Sequence, residues 1–401
     1  MNARTRTALA AALVLGIAAG PAAPALAAGA PKPAATSTAA KAPAYGAPDA
    51  KALAAAIAGL PGDTATAALA RLSGTSGAWR GSSGVHDLRS GSPADPDARF
   101  RAGSVTKVFT AATLLQLATE KRVGLDRPVR AYLPELIPAA YEKVTVRQLL
   151  NHTSGLPSAD FAGTTVEEWY ENRFLVHTPR GMVASATAKP PEFPAGKRQH
   201  YLNINYTVAG LLIERVTGHT YESEVTRRII EPLGLHGTSY PGADPLIHGP
   251  HNHGYQTMRL DDGTTGLRDV SVWGATDGWA AGDIISTTAD LERFTKALFR
   301  GRVVRGPLLE EMFTLPGPSV RDYESGAPAA YSAGLTSWRL GGHEVWGKTG
   351  GRWGYNAGIG GTRDLSRTLV YSVNSTDAKG QGTNDVVMGL IVSAFGAPAR
   401  E

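Results

Sequence analysis

The sequence predicts an α/β fold in which helices flank an antiparallel sheet and a mostly helical domain is inserted into the chain. Short runs of strand-like composition, punctuated by Gly and Ser, lie near residues 64–88 and return after residue 330. Between them, roughly over 104–300, apolar residues recur at spacings of three and four, which indicates helices. The N- and C-terminal segments would therefore close one sheet, with a cleft where the helical insertion meets it.

The predicted elements follow in order along the chain. Before the insertion come a helix over 49–59 and strand-like segments at 64–74, 77–81 and 84–88. A long helix opens at Ser104, and the later helices are predicted over 145–152, 205–218, 221–233, 287–301 and about 383–397. These predicted elements divide one folded domain, 49–401, into two parts. The α/β part covers about 49–103 and 302–401, and the helical part covers about 104–301.

Composition and charge exclude several classes of protein. The chain has 401 residues, of which 42% are hydrophobic and 19% charged, as expected for a globular protein with a sizeable core. Four of its 40 basic residues lie in residues 1–48, which contain no acid, so 36 basic and 35 acidic residues remain in 49–401. The folded part has almost no net charge, and we expect no nucleic-acid partner.

The N-terminus resembles a secretory signal. Arg4 and Arg6 precede an apolar run over 8–20, and Ala25-Leu26-Ala27 forms a small-residue cleavage site. An uncleaved membrane anchor is the alternative, but the run is short for a membrane span. We therefore expect a signal peptide over 1–27, an Ala/Pro-rich linker over 28–48, and a secreted protein with no membrane anchor after cleavage. The chain contains no cysteine, so no disulfide is needed.

A lysine in the first turn of the predicted Ser104 helix needs explanation. A helix N-terminus carries about half a positive charge, which disfavours a cation there. Ser104 and Lys107 lie three residues apart, so the hydroxyl and the amine share one helix face. A serine becomes a good nucleophile when a base takes its proton, and a neutral lysine can be that base. The alternative is a capping serine beside a solvated lysine.

Two further segments offer polar groups to a cleft. Tyr201-Leu202-Asn203 stands immediately before a predicted helix and presents a phenol and an amide, although a core tyrosine and a capping asparagine would look the same. Lys348-Thr349-Gly350 lies in a strand-like segment, where the glycine would let a substrate backbone lie against the strand edge. The alternative there is a solvated lysine before a turn.

These three motifs, in this order, resemble those of the penicillin-recognising serine hydrolases, which include secreted D-alanyl-D-alanine carboxypeptidases, class C β-lactamases and related esterases. The segments at 147–157, "RQLLNHTSGLP", and 280–294, "AAGDIISTTADLERF", are also similar to those of this family. The resemblance covers roughly 50–397. It implies a β-lactamase/DD-peptidase-like fold and catalysis through a covalent acyl-enzyme.

The resemblance assigns roles to individual residues. It implies that Ser104 is the nucleophile, that Lys107 and Tyr201 share proton transfer, and that Asn203 contacts the substrate amide. In the same way, the segment from Lys348 to Arg352 would bind substrate. Lys348 and Thr349 would bind the carboxylate region of the substrate, and Gly350 belongs to the same substrate-binding segment. The backbone amide of Gly351 or Arg352 would be the second oxyanion donor, beside the amide of Ser104. No cofactor or metal is implied, and His152 is given a structural role.

One departure from the family bears on the substrate. Some secreted carboxypeptidases of this type grip the terminal carboxylate with an arginine, but this chain has Thr336 at the matching place. Arg339 would face the other side of a strand, which leaves Arg352 as a candidate. Trp273, Trp279 and Trp353 could line the cleft or belong to the core.

The sequence favours a secreted serine hydrolase, most similar to D-alanyl-D-alanine carboxypeptidases acting on peptidoglycan stem peptides. Other small amide or ester substrates remain open, with β-lactams as inhibitors or substrates. The alternatives are a class C-like β-lactamase, an esterase, and a non-catalytic penicillin-binding sensor or cell-wall-binding module. We expect a monomer.

Overall fold

The structure, a computed structural model, describes residues 45–380 and 382–396. The predicted signal peptide over 1–27 and nearly all of the linker over 28–48 lie outside these ranges. Within them, no helix is both long and apolar enough to cross a membrane.

One six-stranded antiparallel sheet forms the α/β part. Its strands are β1 (Ala65–Gly74), β2 (Gly77–Gly84), β9 (Thr336–Leu340), β10 (His343–Arg352), β11 (Tyr355–Gly361) and β12 (Arg367–Ser375). They lie side by side in the order β2-β1-β12-β11-β10-β9. The N-terminal hairpin joins the C-terminal strands through β1 and β12, where Leu69 lies opposite Ser372. The predicted closure of one sheet by both ends of the chain is therefore confirmed.

Helices cover both faces of this sheet. On one face lie α1 (Ala50–Ala56) and α11 (Asp385–Phe395), whose Leu53 and Leu390 are buried against Leu72 and Leu369 of the sheet. The other face is covered by α9 (Thr288–Phe299), whose N-cap Thr287 accepts a hydrogen bond from the Asp290 amide. Burial of these apolar surfaces is the main force that holds the layers together.

The region between β2 and β9 contains the remaining helices. They are α2 (Thr106–Thr119), α3 (Val146–Leu150), α4 (Val166–Glu171), α5 (Pro179–Thr187), α6 (Ile204–Thr217), α7 (Tyr221–Val225), α8 (Glu231–Leu233) and α10 (Pro307–Glu310). Residues Thr226–Ile230 form a π-helical segment between α7 and α8. The main hydrophobic core runs without interruption from α2 and α6 to the sheet, where it includes Ile359 and Val370.

This region is less helical than its sequence pattern predicts. It includes a hairpin of β5 (Tyr255–Arg259) and β6 (Thr265–Asp269), besides long loops. Two short pairs also occur, β3 (Phe100–Arg101) with β7 (Ile285–Ser286), and β4 (Arg198–Gln199) with β8 (Arg321–Asp322). Buried and exposed positions alternate in the hairpin, as in a strand with one buried face. This period of two is short and lies between segments whose helical spacing is more pronounced, so the sequence pattern does not reveal it.

Candidate active site

The predicted nucleophile lies at the start of α2, but the helix begins later than expected. Residues Gly103–Val105 form a 3₁₀ turn, and α2 itself begins at Thr106. The Thr106 hydroxyl donates to the Gly103 carbonyl at 2.7 Å and accepts from the Ile284 amide at 3.1 Å. These bonds fix the turn that carries Ser104 and tie it to the segment after residue 281.

Lys107 is completely buried, and its amine has three polar neighbours. Nζ lies 2.7 Å from Asn203 Oδ1, 2.8 Å from the Ala281 carbonyl oxygen and 3.1 Å from Ser104 Oγ. The amide oxygen and the carbonyl oxygen can only accept hydrogen bonds. A neutral amine has two N–H donors and one lone pair, so its two donors satisfy these acceptors and its lone pair is left for the Ser104 hydroxyl.

Electrostatics favour that neutral amine. Burial lowers the pKa of Lys107 well below its usual value, and the nearby charges of Lys348 and Lys379 lower it further. Its place in the first turn of α2 acts in the same direction, because the helix N-terminus carries partial positive charge. The unfavourable position of this lysine, evident from the sequence, therefore helps to make it a base.

Asn203 occupies the N-cap position of α6 but does not cap it. Asparagine at this position ordinarily accepts a hydrogen bond from the first turn of the helix. Here the side chain makes no capping bond, and its Oδ1 instead accepts a hydrogen bond from Lys107 Nζ. The helix forgoes a local stabilising contact so that the amine has a second fixed acceptor.

Tyr201 reaches the same point from the loop before α6. Its hydroxyl is buried and has no hydrogen-bond partner among residues 45–380 and 382–396. The ring is stacked on Tyr331 at 4.7 Å between centroids, and His152 packs against it at 4.5 Å. Burial raises the pKa of the Tyr201 phenol well above its usual value, and Tyr331 adds to this. The phenol is therefore a proton donor at neutral pH, which leaves the role of base to Lys107.

Strand β10 forms the opposite wall. Its pairing with β9 ends at Gly347, opposite Thr336, so the edge over 348–351 is open towards Ser104. A methyl group at Gly350 would lie 2.0 Å from the Ala102 carbonyl oxygen, and one at Gly103 would lie 2.7 Å from the Gly351 nitrogen. This close approach requires glycines and brings the backbone of 350–351 against the turn that carries Ser104, where an oxyanion site would use the Ser104 and Gly351 amides.

Lys348 lies beside Tyr201. It is 4% exposed, its Nζ lies 4.6 Å from the Tyr201 ring centroid, and it donates to the Thr349 carbonyl at 2.9 Å. Burial lowers the pKa of Lys348 to about 7. This amine and Thr349 both line the cavity in front of Ser104, so the structure brings the three predicted motifs together.

Arg352 lines the cavity in front of Ser104, and its guanidinium is paired within the protein. Its guanidinium forms a bidentate ion pair with Asp277, with both N–O distances 2.8 Å, and also donates to the Gly274 carbonyl at 3.0 Å. The charge of Arg352 is therefore already balanced by Asp277 before any substrate carboxylate binds. Thr336 is buried and Arg339 is exposed on β9, so neither supplies the missing arginine.

The cavity in front of Ser104 has a volume of about 320 Å³. None of the three suggested tryptophans lines it, and Trp273 and Trp279 belong to the core. Side chains that the sequence did not point to also line the cavity, among them Phe161, Trp169, Asp277, Tyr331 and Lys379. These named side chains come from loops and one short helix with no motif, and only the folded chain assembles them. His152 is buried behind Tyr201 and does not line the cavity.

Comparison with known proteins supports this geometry. The family model described as Beta-lactamase matches residues 33–390. The chain belongs to the beta-lactamase family. It is therefore a serine hydrolase of the superfamily that contains the penicillin-binding proteins, whose members act on small amide or ester substrates and β-lactams.

Relatives of this beta-lactamase family member include amide hydrolases. A D-stereospecific amidohydrolase from Streptomyces sp. is 33% identical, with a TM-score of 0.72 over 85% of this chain and 98% of that one. The D-amino acid amidase of Ochrobactrum anthropi SV3 is 25% identical, with a TM-score of 0.71 over 86% and 96% of the two chains. Unguisins hydrolase ungD of Aspergillus violaceofuscus is 26% identical over 356 residues, which are 80% of this chain and 60% of that protein's length.

Replacing the buried amine tests its role in this beta-lactamase family member. We expect Lys107→Met, which keeps the side-chain volume, to lower the rate of Ser104 acylation by about 10²–10⁴-fold because the general base is lost. In the native protein the acylation rate should rise with pH as Lys107 loses its proton. The pH at which the rate rises should lie below the pH range in which an ordinary lysine titrates. Stopped-flow cleavage of a p-nitrophenyl ester between pH 5 and 10 measures both effects.

Lys51→Met, which removes an exposed lysine on α1, is the matched control and should behave as the native protein. A Lys107→Met variant that folds and acylates at the native rate would show that another group takes the proton.

Proposed function

We propose that this serine hydrolase cleaves amide and peptide bonds at the carbonyl of a D-amino acid residue through an acyl-enzyme on Ser104. The observation that carries the proposal is the arrangement around Lys107, whose two donors are occupied by Asn203 Oδ1 and the Ala281 carbonyl. A module that only bound a ligand would gain nothing from an amine buried with its lone pair towards a serine.

Acylation begins with attack of Ser104 Oγ on the substrate carbonyl, while the Ser104 proton passes to Lys107 Nζ. The amides of Ser104 and Gly351 stabilise the oxyanion that forms. When the C–N bond breaks, the Tyr201 phenol protonates the leaving nitrogen, and the proton held by Lys107 replaces it. A water molecule then attacks the ester carbonyl while Lys107 Nζ takes one of its protons. When the bond from the carbonyl carbon to Ser104 Oγ breaks, Lys107 returns that proton to Ser104 Oγ and the acid leaves.

The open edge of β10 orients the substrate. An extended peptide can lie along this edge and pair with its backbone, as in strand addition. Because Tyr201 must reach the leaving nitrogen, the leaving group lies at the end of the edge where Lys348 stands. Specificity for a D-residue is supported by the 33% identity and near-complete overlap with the Streptomyces D-stereospecific amidohydrolase.

A D-alanyl-D-alanine carboxypeptidase is the second candidate. The observation in its favour is Lys348, a cation at the leaving-group end that could pair with the terminal carboxylate of the departing D-alanine. The engagement of Arg352 by Asp277 weighs against a strict requirement for that carboxylate. We therefore place amide hydrolysis first, with terminal carboxylates accepted but not required.

Enantiomeric substrates test the proposal. We expect the purified protein to hydrolyse N-acetyl-D-alanine p-nitroanilide and to leave the L-enantiomer almost untouched. The two candidates are separated by comparing kcat/KM for a peptide ending in D-Ala-D-Ala with kcat/KM for the same peptide as its C-terminal amide. Only a strict carboxypeptidase would fail to cleave the amidated peptide. Equal cleavage of both enantiomers, or activity retained in Ser104→Ala, would count against the proposal.

A penicillin should acylate the same serine. Its ring carbonyl stands between an amide and a carboxylate, as the carbonyl of a D-Ala-D-Ala terminus does, and its leaving amine remains tethered after ring opening. Intact mass spectrometry after penicillin treatment should show one added drug mass in the native protein and none in Ser104→Ala. An adduct that persists in Ser104→Ala would place the nucleophile elsewhere, and rapid drug turnover would favour a β-lactamase.

A further inference from the structure

Lys379 stands at the far end of the active-site edge from Lys348. It follows β12, next to Ala378, whose carbonyl oxygen accepts from Asn356 Nδ2 at 2.9 Å. The same carbonyl would lie 3.2 Å from a methyl group at Gly351, so this loop runs beside the last residues of the β10 edge. Lys379 lines the cavity from there.

The ammonium of Lys379 is not neutralised by its surroundings. Its Nζ lies 5.1 Å from the Trp353 ring centroid, and it forms no hydrogen bond or ion pair within the described part of the chain. The nearby carboxylate, Asp277, is held by Arg352 through both of its oxygens. Burial lowers the pKa of Lys379 to about 8, so most of the protein carries this charge at pH 7.

The position of the proton donor tells which part of a substrate Lys379 meets. The leaving group must lie near the Tyr201 phenol, and the Tyr201 ring lies 4.6 Å from Lys348 Nζ. A substrate extended along β10 with its carbonyl oxygen at the Ser104 and Gly351 amides therefore directs its acyl side towards Ala378 and Lys379. The two ends of the edge each carry a lysine, one for each side of the scissile bond.

We infer that Lys379 recognises a carboxylate on the acyl side of the substrate, within about one residue of the scissile carbonyl. This inference rests on the proposed function and adds, among its substrates, a preference for acyl groups that bear an anion. Such a group would give a counter-ion to the Lys379 ammonium, which already lies over the Trp353 ring. The carboxylates of the cavity, Asp277 and Asp160, are already paired with Arg352 and Lys189.

Lys379 could instead act only through Lys107, because its charge helps to lower the pKa of that amine. The two roles have different consequences. A change in the base alters the rate for every substrate alike, whereas loss of a carboxylate partner changes the ratio between an anionic substrate and its neutral analogue.

The experiment compares N-succinyl-D-alanine p-nitroanilide with its N-succinamoyl analogue, in which a carboxamide replaces the carboxylate at nearly constant shape. We expect the acid to be preferred by kcat/KM, and Lys379→Met to reduce that preference about 10- to 100-fold, the usual worth of a hydrogen bond to a charged group. Lys379→Arg should restore most of the preference. Lys143→Met, which removes an exposed lysine, is the control and should leave the ratio unchanged.

An unchanged acid-to-amide ratio in Lys379→Met would overturn the inference, even if both rates fell together. Binding of the two compounds to Ser104→Ala, measured by calorimetry with and without Lys379→Met, repeats the comparison without any chemistry. If the native protein cleaves neither compound, the proposed function fails, and this binding ratio still decides the role of Lys379. Equal binding of acid and amide would overturn it.

Discussion

The site depends on one buried amine and the three oxygens around it. Lys107 Nζ faces Asn203 Oδ1, the Ala281 carbonyl and Ser104 Oγ, and these groups come from three separate parts of the chain. Burying an amine is costly unless its polar contacts are satisfied, and even then burial favours the uncharged form. The fold must therefore hold all three partners in place, and in doing so it converts an ordinary lysine into a base.

Much of the surrounding structure supports those partners. The Thr110 hydroxyl of α2 lies 2.6 Å from the Ala280 carbonyl oxygen, and Thr106 accepts from the Ile284 amide, so the segment that presents the Ala281 carbonyl is tied to α2 itself. Asn203 turns away from capping α6. Opposite them, Gly350 lets β10 approach the turn that carries Ser104 closely. Functional sites commonly forgo local stability in this way, and the continuous core compensates.

The sequence was most informative where local spacing determines geometry. Ser104 and Lys107 meet because they are three residues apart at the start of a helix, and the sheet follows from strand-like runs at both ends of the chain. The sequence did not predict contacts between residues that are far apart in the chain. The sequence near Arg352 does not predict its ion pair with Asp277, and Lys379 lies in a loop that contains no motif. The predictions of secretion and of a monomer stay predictions.

We expect Lys107 to be neutral in the folded protein when it faces Ser104. Nuclear magnetic resonance of the native protein with ¹³C-labelled lysine side chains measures this directly, since the carbon next to each amine shifts when that amine titrates. The signal absent from Lys107→Met identifies the residue. We predict that this signal titrates well below the ordinary range of lysine, as its burial beside Lys348 and Lys379 requires. An ordinary lysine titration for that signal would contradict the account.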